Sequence, residues 1–397
     1  MLNERPAPVA GDLGALPADV FDRVAAGYGD AAAVGLLADA ELAVNRALVS
    51  EILGETAAGG ELLAELERAA PAAFDAVLSH PFVRSWAVAC LEGKDAEPDR
   101  AAAIAVAVAV RAGADADVQV HAHDGLIHLP TVGVFAAPAE QVRVTAGRSS
   151  VVLRWPGGRA ELPAGDRQIP GWHACRWVSL DGVRVLLDDA DPYRDRLEFA
   201  DPAWLDADGE RAWAARLAAT WERLAADAPA QLDGLRGGLR AIVPLAAAPD
   251  GTPRGATSRH AFGAVGLSPT ADPGEAALLL VREFQLTKIG AVLDLIDLVP
   301  EDAVSERLAV GWHDDPRPVE AALRGAYAHL AVADVWRHRA LSTGDPASRG
   351  VYRRYRDWTA EAIDTLLTGD RLTEAGTRFT RRMAATLDEW SHQARAS

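Results

Sequence analysis

The amino-acid sequence predicts an α+β protein, predominantly helical, with an antiparallel β unit inserted between two helical parts. Three observations carry this reading. Apolar residues recur at intervals of three and four up to about residue 115 and again after about residue 208, the period of helices that bury one face. Between residues 117 and 188 the period drops to two, punctuated by Gly, Pro and Asp-Gly pairs, as in strands joined by tight turns. The segment 278–299, LLLVREFQLTKIGAVLDLIDLV, is apolar around most of a helical circumference and so belongs inside the protein. The corresponding regions are 1–115 (helical), 116–195 (β) and 196–397 (helical).

In the first region helices are expected over 13–26, over 31–53 on Leu36, Leu37, Leu42, Leu48 and Ile52, over 60–78, and over 81–90. His80-Pro81 is a helix start, because proline fits the first turn. Asp99 stands as the N-cap of an apolar helix over 99–112, where its carboxylate would take a free backbone N–H. Strands are expected over 118–123, 126–129, 142–144, 151–155 and 183–187, with hairpin turns at Asp124-Gly125, 155–158 and Asp181-Gly182. A polar connector over 189–202 leads to helices over 208–226 and 229–239 and to short strands over 242–247 and 261–267. After the 278–299 helix come a loop at 300–302, a helix over 303–310 and a break at Pro316 and Pro318. Helices over 319–339, 351–367 and 373–395 complete the chain, with a loop over 343–350.

The chain's 397 residues are enough for two or three packed units. Its formal charge of −17 disfavours a nucleic-acid role, which needs clustered positive charge, and suits a basic or neutral peptide partner. Only Lys94 and Lys288 are lysines; the Ala and Arg richness reads as a GC-rich bacterial coding bias. Cys90 and Cys175 form no CxxC pattern and no disulfide framework, so a reduced, cytoplasmic setting is expected. The N-terminus lacks the basic start and apolar core of a signal peptide, and the apolar run 101–110 is too short to span a membrane.

Into the apolar 278–299 run the sequence sets Arg282, Glu283, Gln285 and Lys288. A buried helix tolerates such groups only where they pair or line a site. Residues Arg282-Glu283-Phe284-Gln285-Leu286 also keep the frame of an HExxH helix, in which His at i and i+4 bind a metal from one face with Glu beside it. Here Glu283 is present, and Arg282 and Leu286 stand where the two His would be.

With these residues the chain resembles the HExxH-motif peptide-modification proteins found with ribosomally made peptide precursors. That family's core reads approximately HEFQHxKLxALLDL, against REFQLTKIGAVLDL at 282–295. The likeness extends upstream to Ser258-Arg259-His260-Ala261-Phe262-Gly263 and downstream to DDPRP (314–318) and YAHLAVADVW (327–336). It reaches the N-terminal region at LPADVFD (16–22) and SHPFVRSWAVACL (79–91), and so covers nearly the whole chain. The resemblance implies iron- and 2-oxoglutarate-dependent peptide β-hydroxylation, a ribosomally made precursor peptide as substrate and a companion modifying enzyme as a further partner.

The resemblance also implies a site built from Glu283, Arg282, Gln285 and His329, the last being the motif His that is retained. Arg282 has no lone pair to give and Leu286 no donor atom, which leaves Glu283 and His329 as ligands; His260 and His313 are the candidates to complete a set. Arg317 and Lys288 are natural partners for the distal carboxylate of 2-oxoglutarate, or else form structural salt bridges to Asp294 or Asp314. Arg324 adds a cation on the His329 helix. Arg282 either pairs with Glu283 in the place of iron, sparing a lone buried charge, or carries its long stem out to water. His121 and His123 share one strand face and, with no third ligand in sight, read as exposed. The Trp residues, Trp155, Trp172 and Trp177 among them, read mostly as core, with some available to line a peptide groove. Three functions are open: a non-catalytic peptide- or partner-binding protein, an enzyme with metal-independent or re-ligated chemistry, and a conventional hydroxylase. The leading reading is a peptide-maturation protein that lacks the usual metal site.

Overall fold

A computed structural model describes residues 16–55, 59–94, 97–148, 150–162, 169–201 and 203–396. The chain opens with helices α1 (Ala18–Ala25), α2 (Ala31–Glu55), α3 (Gly60–Ala69), α4 (Pro71–Leu78), α5 (Pro81–Leu91) and α6 (Arg100–Ala112). Strands follow: β1 (Ala116–His121), β2 (Leu126–Leu129), β3 (Gly133–Ala136), β4 (Gln141–Ala146), β5 (Val151–Trp155), β6 (Gly158–Leu162), β7 (Trp172–Ala174), β8 (Arg176–Leu180) and β9 (Val183–Leu187). A 3-10 helix, Pro192–Leu197, leads to α7 (Ala207–Asp227), α8 (Pro229–Gly238), β10 (Ala241–Pro244), β11 (Gly255–Ala256), β12 (Ala264–Leu267) and α9 (Pro273–Leu295). A hairpin of β13 (Arg307–Val310) and β14 (His313–Pro318) precedes α10 (Val319–Thr343), α11 (Pro346–Leu367) and α12 (Glu374–Ala396).

The α+β class is as expected, and most departures are at element ends. Of the first expected helix, residues 13–15 lie outside the described residues. The helix expected over 60–78 is two, because Ala70 leaves helical geometry (φ −142, ψ 59) and Pro71 opens α4 at its first turn. Asp99 is not a cap: it makes no capping bond, and its carboxylate pairs with His121 and, at 3.2 Å, with His123. The expected loop 343–350 is largely the first turn of α11, capped by Asp345, which accepts from Ala347 N and Ser348 N. The expected helix over 303–310 is instead the strand β13. Leu308 and Val310 point inward and Arg307 and Ala309 outward, a period of two that prevails over helical propensity.

The organising helix is shifted from its expected limits. It starts at Pro273, where Asp272 Oδ1 accepts from Gly274 N at 2.8 Å, and ends at Leu295. Ile296 is extended (φ −141, ψ 126), and the chain then crosses the start of α12. There Thr373 donates from Oγ1 to Asp297 O (2.6 Å) and from N to Leu298 O (3.1 Å). A Cβ on Gly376 would lie 1.9 Å from Leu298 O. Inside a helix Ala normally gains about 1 kcal/mol over Gly; at this crossing Gly376→Ala should reverse that sign and cost roughly 1–3 kcal/mol. Urea unfolding that finds the variant more stable than the parent would refute the close approach.

The middle region does not close on itself. β1-β4-β5-β6 form one antiparallel sheet and β2-β3-β7 another. β8 and β9, however, join later strands in the order β11-β12-β10-β9-β8, with β10 parallel to both β9 and β12. This mixed sheet crosses the 195/196 boundary. β10 and β12 are buried at every position, as strands covered on both faces are. One face of the sheet gives Val185, Leu187, Ile242, Val265 and Leu267 to a core shared with α1 and α7–α12. The other gives Leu186, Ala241, Val243 and Ala264 to a second core with α3–α6 and the two antiparallel sheets. No helix among the described residues is long and apolar enough to cross a membrane.

Candidate functional site

α9 packs beside α10, and Arg282 of α9 connects the two candidate residues, pairing with Glu283 while its charge acts on His329 of α10. Glu283 is buried and accepts from Arg282, whose Nη1 lies 3.0 Å from Glu283 Oε1 while its side chain stays 45% exposed. Arg282 thus follows both alternatives at once: its stem reaches toward water and its head pairs with the carboxylate. Burial raises the Glu283 pKa against the pull of Arg282 and Arg324. His329 is buried among rings: Trp312 edge-on with centroids 4.5 Å apart, Tyr355 at 5.4 Å and Trp358 at 6.4 Å. Trp312 reaches it because Gly325, one turn earlier on α10, leaves room for the indole; a Cβ there would lie 2.7 Å from it. Burial, with the nearby Arg282 charge, pushes the imidazole down to about 4, so the ring is neutral at pH 7, and its Nδ1 has no partner. Arg324 is also largely buried, with Nε unpartnered and its pKa lowered by burial.

The other expected site residues lie elsewhere. Gln285 is buried and donates to Gly27 O (2.7 Å), as does Gln231 (3.1 Å). Lys288 is fully buried and donates to Tyr28 O at 2.5 Å, over the rings of Phe284 (6.0 Å) and Tyr327 (5.7 Å). It forms no salt bridge to Asp294, and it fastens the turn between α1 and α2 instead of facing the candidate site. Tyr327 OH donates to Val24 O (2.7 Å) and Thr386 Oγ1 to Ala26 O (3.0 Å) in the same turn. Arg317 is on the exposed hairpin, 3.4 Å from His313 Nε2, and His313 is itself exposed and bonded to the Asp315 backbone. Neither pairs with Asp314 or joins Glu283. His260 lies near Arg84, Arg259 and Asp294, its Nδ1 unpartnered and its pKa pushed down to about 4 by burial.

Asp294 shows what the 79–91 and 258–263 stretches do. It accepts from Arg84 Nη2 (2.6 Å) and from Arg259 Nε and Nη2 (3.1 and 2.9 Å). Arg84 also pairs with Glu41, and Ser85 Oγ donates to His260 O (2.8 Å). The 79–91, 258–263 and 282–295 stretches therefore meet in one buried ion network. Arg324 feels Arg259, Asp294 and Glu283, so it lies between this network and the candidate site.

The donor set of the candidate site does not fit iron. Among the described residues, no grouping of three ligand-type side chains includes Glu283 or His329, and iron of this kind needs three on one face with open positions. Among the described residues, the one grouping of three or more His, Cys, Asp or Glu close enough to share an ion lies elsewhere, at His80, Asp188 and Asp191. What the candidate site offers is hydrogen bonding and stacking: a neutral imidazole with a free acceptor, two guanidiniums and an aromatic wall. The wall and the Asp294 network are absent from the sequence reading. Gly311-Trp312 and the Tyr355/Trp358 pair at i and i+3 were the available signals. No protein-family model matches the chain, and no curated protein matches it.

Arg282→Ala should lower stability by about 1 kcal/mol, since half-exposed pairs are screened by solvent. The loss should grow with pH. A carboxyl whose folded pKa is raised contributes stability that is complete below its unfolded pKa and is lost as pH rises through the folded one, and removing Arg282 raises Glu283 further. An unchanged melting temperature between pH 5 and 8 would show that the pair contributes nothing.

Proposed function

We propose that this chain is a peptide-binding protein of a ribosomal-peptide maturation pathway, built on the scaffold of the peptide β-hydroxylases it resembles, with an Arg282–Glu283 ion pair where such an enzyme carries its metal. The observation that carries the reading is the Arg282 guanidinium, 3.0 Å from Glu283 and with its charge acting on His329. The third-ligand histidine of the resemblance is present, ringed by Trp312, Tyr355 and Trp358, while the cation satisfies the buried carboxyl. The partner is a precursor peptide, with a companion modifying enzyme acting on it, and the setting is the cytoplasm, consistent with two free thiols.

A metal-independent enzyme is the second reading. It is favoured by the neutral His329 with a free Nδ1 beside a carboxyl of raised pKa, groups of the kind that exchange protons.

The test uses a candidate precursor peptide taken from the gene neighbourhood of this chain. Calorimetry should show binding, and mass spectrometry of the peptide after incubation with ferrous iron and 2-oxoglutarate should show no change. A gain of one oxygen would overturn the proposal; another mass change without iron would establish the second reading. Absence of binding would remove both. Converting both motif positions, R282H with L286H, should add one equivalent of retained iron relative to the parent, and no gain would refute the view of the candidate site as a vacated ligand site.

A further inference from the structure

One edge of the mixed sheet is free. β8 is the last strand of the order β11-β12-β10-β9-β8. It turns into β9 through Asp181 (φ 49) and Gly182 (φ 83), the two left-handed residues of a tight hairpin. On the far side of β9, Leu186 N donates to Arg240 O (2.9 Å) and Asp188 N to Ile242 O (2.8 Å). The alternate residues Val183, Val185 and Leu187 therefore face β8, where they pair with Leu180, Val178 and Arg176. Trp177 and Ser179 are left with their N–H and C=O groups directed outward, and no strand among the described residues takes them up. Ser179 is exposed and Trp177 half-buried.

Trp177 and Ser179 share one face of β8, and Arg184 of β9 stands opposite Ser179 on that face. Its guanidinium carbon lies 4.9 Å from the centre of the Trp177 ring, and that of Arg111, in the last turn of α6, lies 6.0 Å from the same centre. Both arginines reach solvent. Arg184 makes no hydrogen bond or salt bridge among the described residues, and Arg111 meets only Thr131 Oγ1, at 3.4 Å. Partial burial and the Arg184 charge lower the Arg111 pKa, and no carboxylate acts against them. Arg143, Arg176 and Arg236, by contrast, all have carboxylate partners. Asp181, in the adjoining turn, is committed to Arg236 at 2.5 Å. Two uncompensated cations on one indole, in a chain of formal charge −17, call for an anion from outside.

We propose that the free edge of β8 docks an acidic peptide strand, whose backbone pairs with Trp177 and Ser179 and whose Glu or Asp, on the face it shares with Trp177, sets its carboxylate on Arg111 and Arg184. Side chains directly opposed on paired strands lie about 5 Å apart. Arg184 belongs to the next strand in, and its guanidinium spans that gap by lying over Trp177. Backbone pairing supplies affinity and the arginines select the acidic side chain. The inference rests on the peptide-binding reading for the kind of partner, and uses none of the residues around Arg282.

The test takes the full chain and a fluorescein-labelled, end-capped peptide of alternating Glu and Thr, with Gln in place of Glu as its control. Fluorescence anisotropy should show saturable micromolar binding of the Glu peptide that weakens with added salt. It should be roughly tenfold weaker in R184Q, and for the Gln peptide on the parent. Hydrogen exchange should slow at the Trp177 and Ser179 amides when the Glu peptide is bound. No binding, equal binding of the Gln peptide, or unchanged exchange at both amides would each overturn the proposal. Binding kept in R184Q but lost in H329A would place the peptide against α9 and α10 and overturn it as well. Failure here while the precursor still binds in calorimetry would strike the β8 edge alone. A bound Glu peptide with no binding of the precursor would strike the maturation reading and leave the edge.

Discussion

Lys288→Met should make the protein more stable, and only on the acid side of pH 10. Burial lowers the Lys288 pKa from the usual 10.5 to about 7, and no carboxylate compensates its charge. Between those values the unfolded chain binds a proton that the folded chain does not, so the parent's stability rises with pH across this window. Below pH 7 the penalty is fully present, on the order of 5 kcal/mol for a shift of this size. The substitution removes that penalty but leaves Tyr28 O, the partner of Lys288 Nζ, without its donor, which costs about 1–3 kcal/mol. The variant should therefore exceed the parent by roughly 2–4 kcal/mol at pH 6 and lose the advantage by pH 10. Chemical denaturation of both proteins across this range isolates the lysine, because every other titrating group cancels in the difference. A difference independent of pH would show that Lys288 stays charged in the folded protein.

Arg84→Ala should be the most damaging single substitution at a charged position. Its guanidinium is buried between Glu41 and Asp294. Without it two buried carboxyls face each other, with Arg259 as the remaining cation on Asp294. Breaking one side of such a network costs about 3–5 kcal/mol. Burial already raises the Glu41 pKa, and the variant can relieve part of the cost by protonating it. The loss should consequently be smaller at pH 5 than at pH 8. Pairing Arg84→Met with Glu41→Gln should recover part of the stability, whereas an equal loss in the single and double variants would show that packing of the arginine stem, not charge, is what matters.

Helices with a clear apolar period were legible in the sequence, and so were their proline and aspartate starts, as at His80-Pro81. Legibility failed where a tertiary contact decided the outcome. Asp99 had the sequence of a cap, but two strand histidines some twenty residues on compete for its carboxylate. The 303–310 stretch carried both periods, and burial of Leu308 and Val310 selected the strand. The parallel pairing of β9 with β10 joins segments more than fifty residues apart, which no local pattern reports. In the candidate site, the local frame pointed to Glu283 and the likeness to His329, and Arg282 acts on both. Lys288 and Gln285 share their helix, yet a side chain's partner depends on what packs against its face, and theirs is the α1–α2 turn.

That turn has a consequence for the order of events on the ribosome. Its carbonyls at Val24, Ala26, Gly27 and Tyr28 are taken up by Tyr327, Thr386, Gln231, Gln285 and Lys288, and the most distant of these lies 360 residues downstream. At roughly 5–20 residues per second, the turn emerges about 20–70 s before its last partner is made. Through that interval Ala26 O lacks its Thr386 donor, and α1 lacks the α12 surface it packs against. Helix α1 is thus among the last of the described helices to be locked, and nascent-chain proteolysis should find it open until α12 clears the exit tunnel.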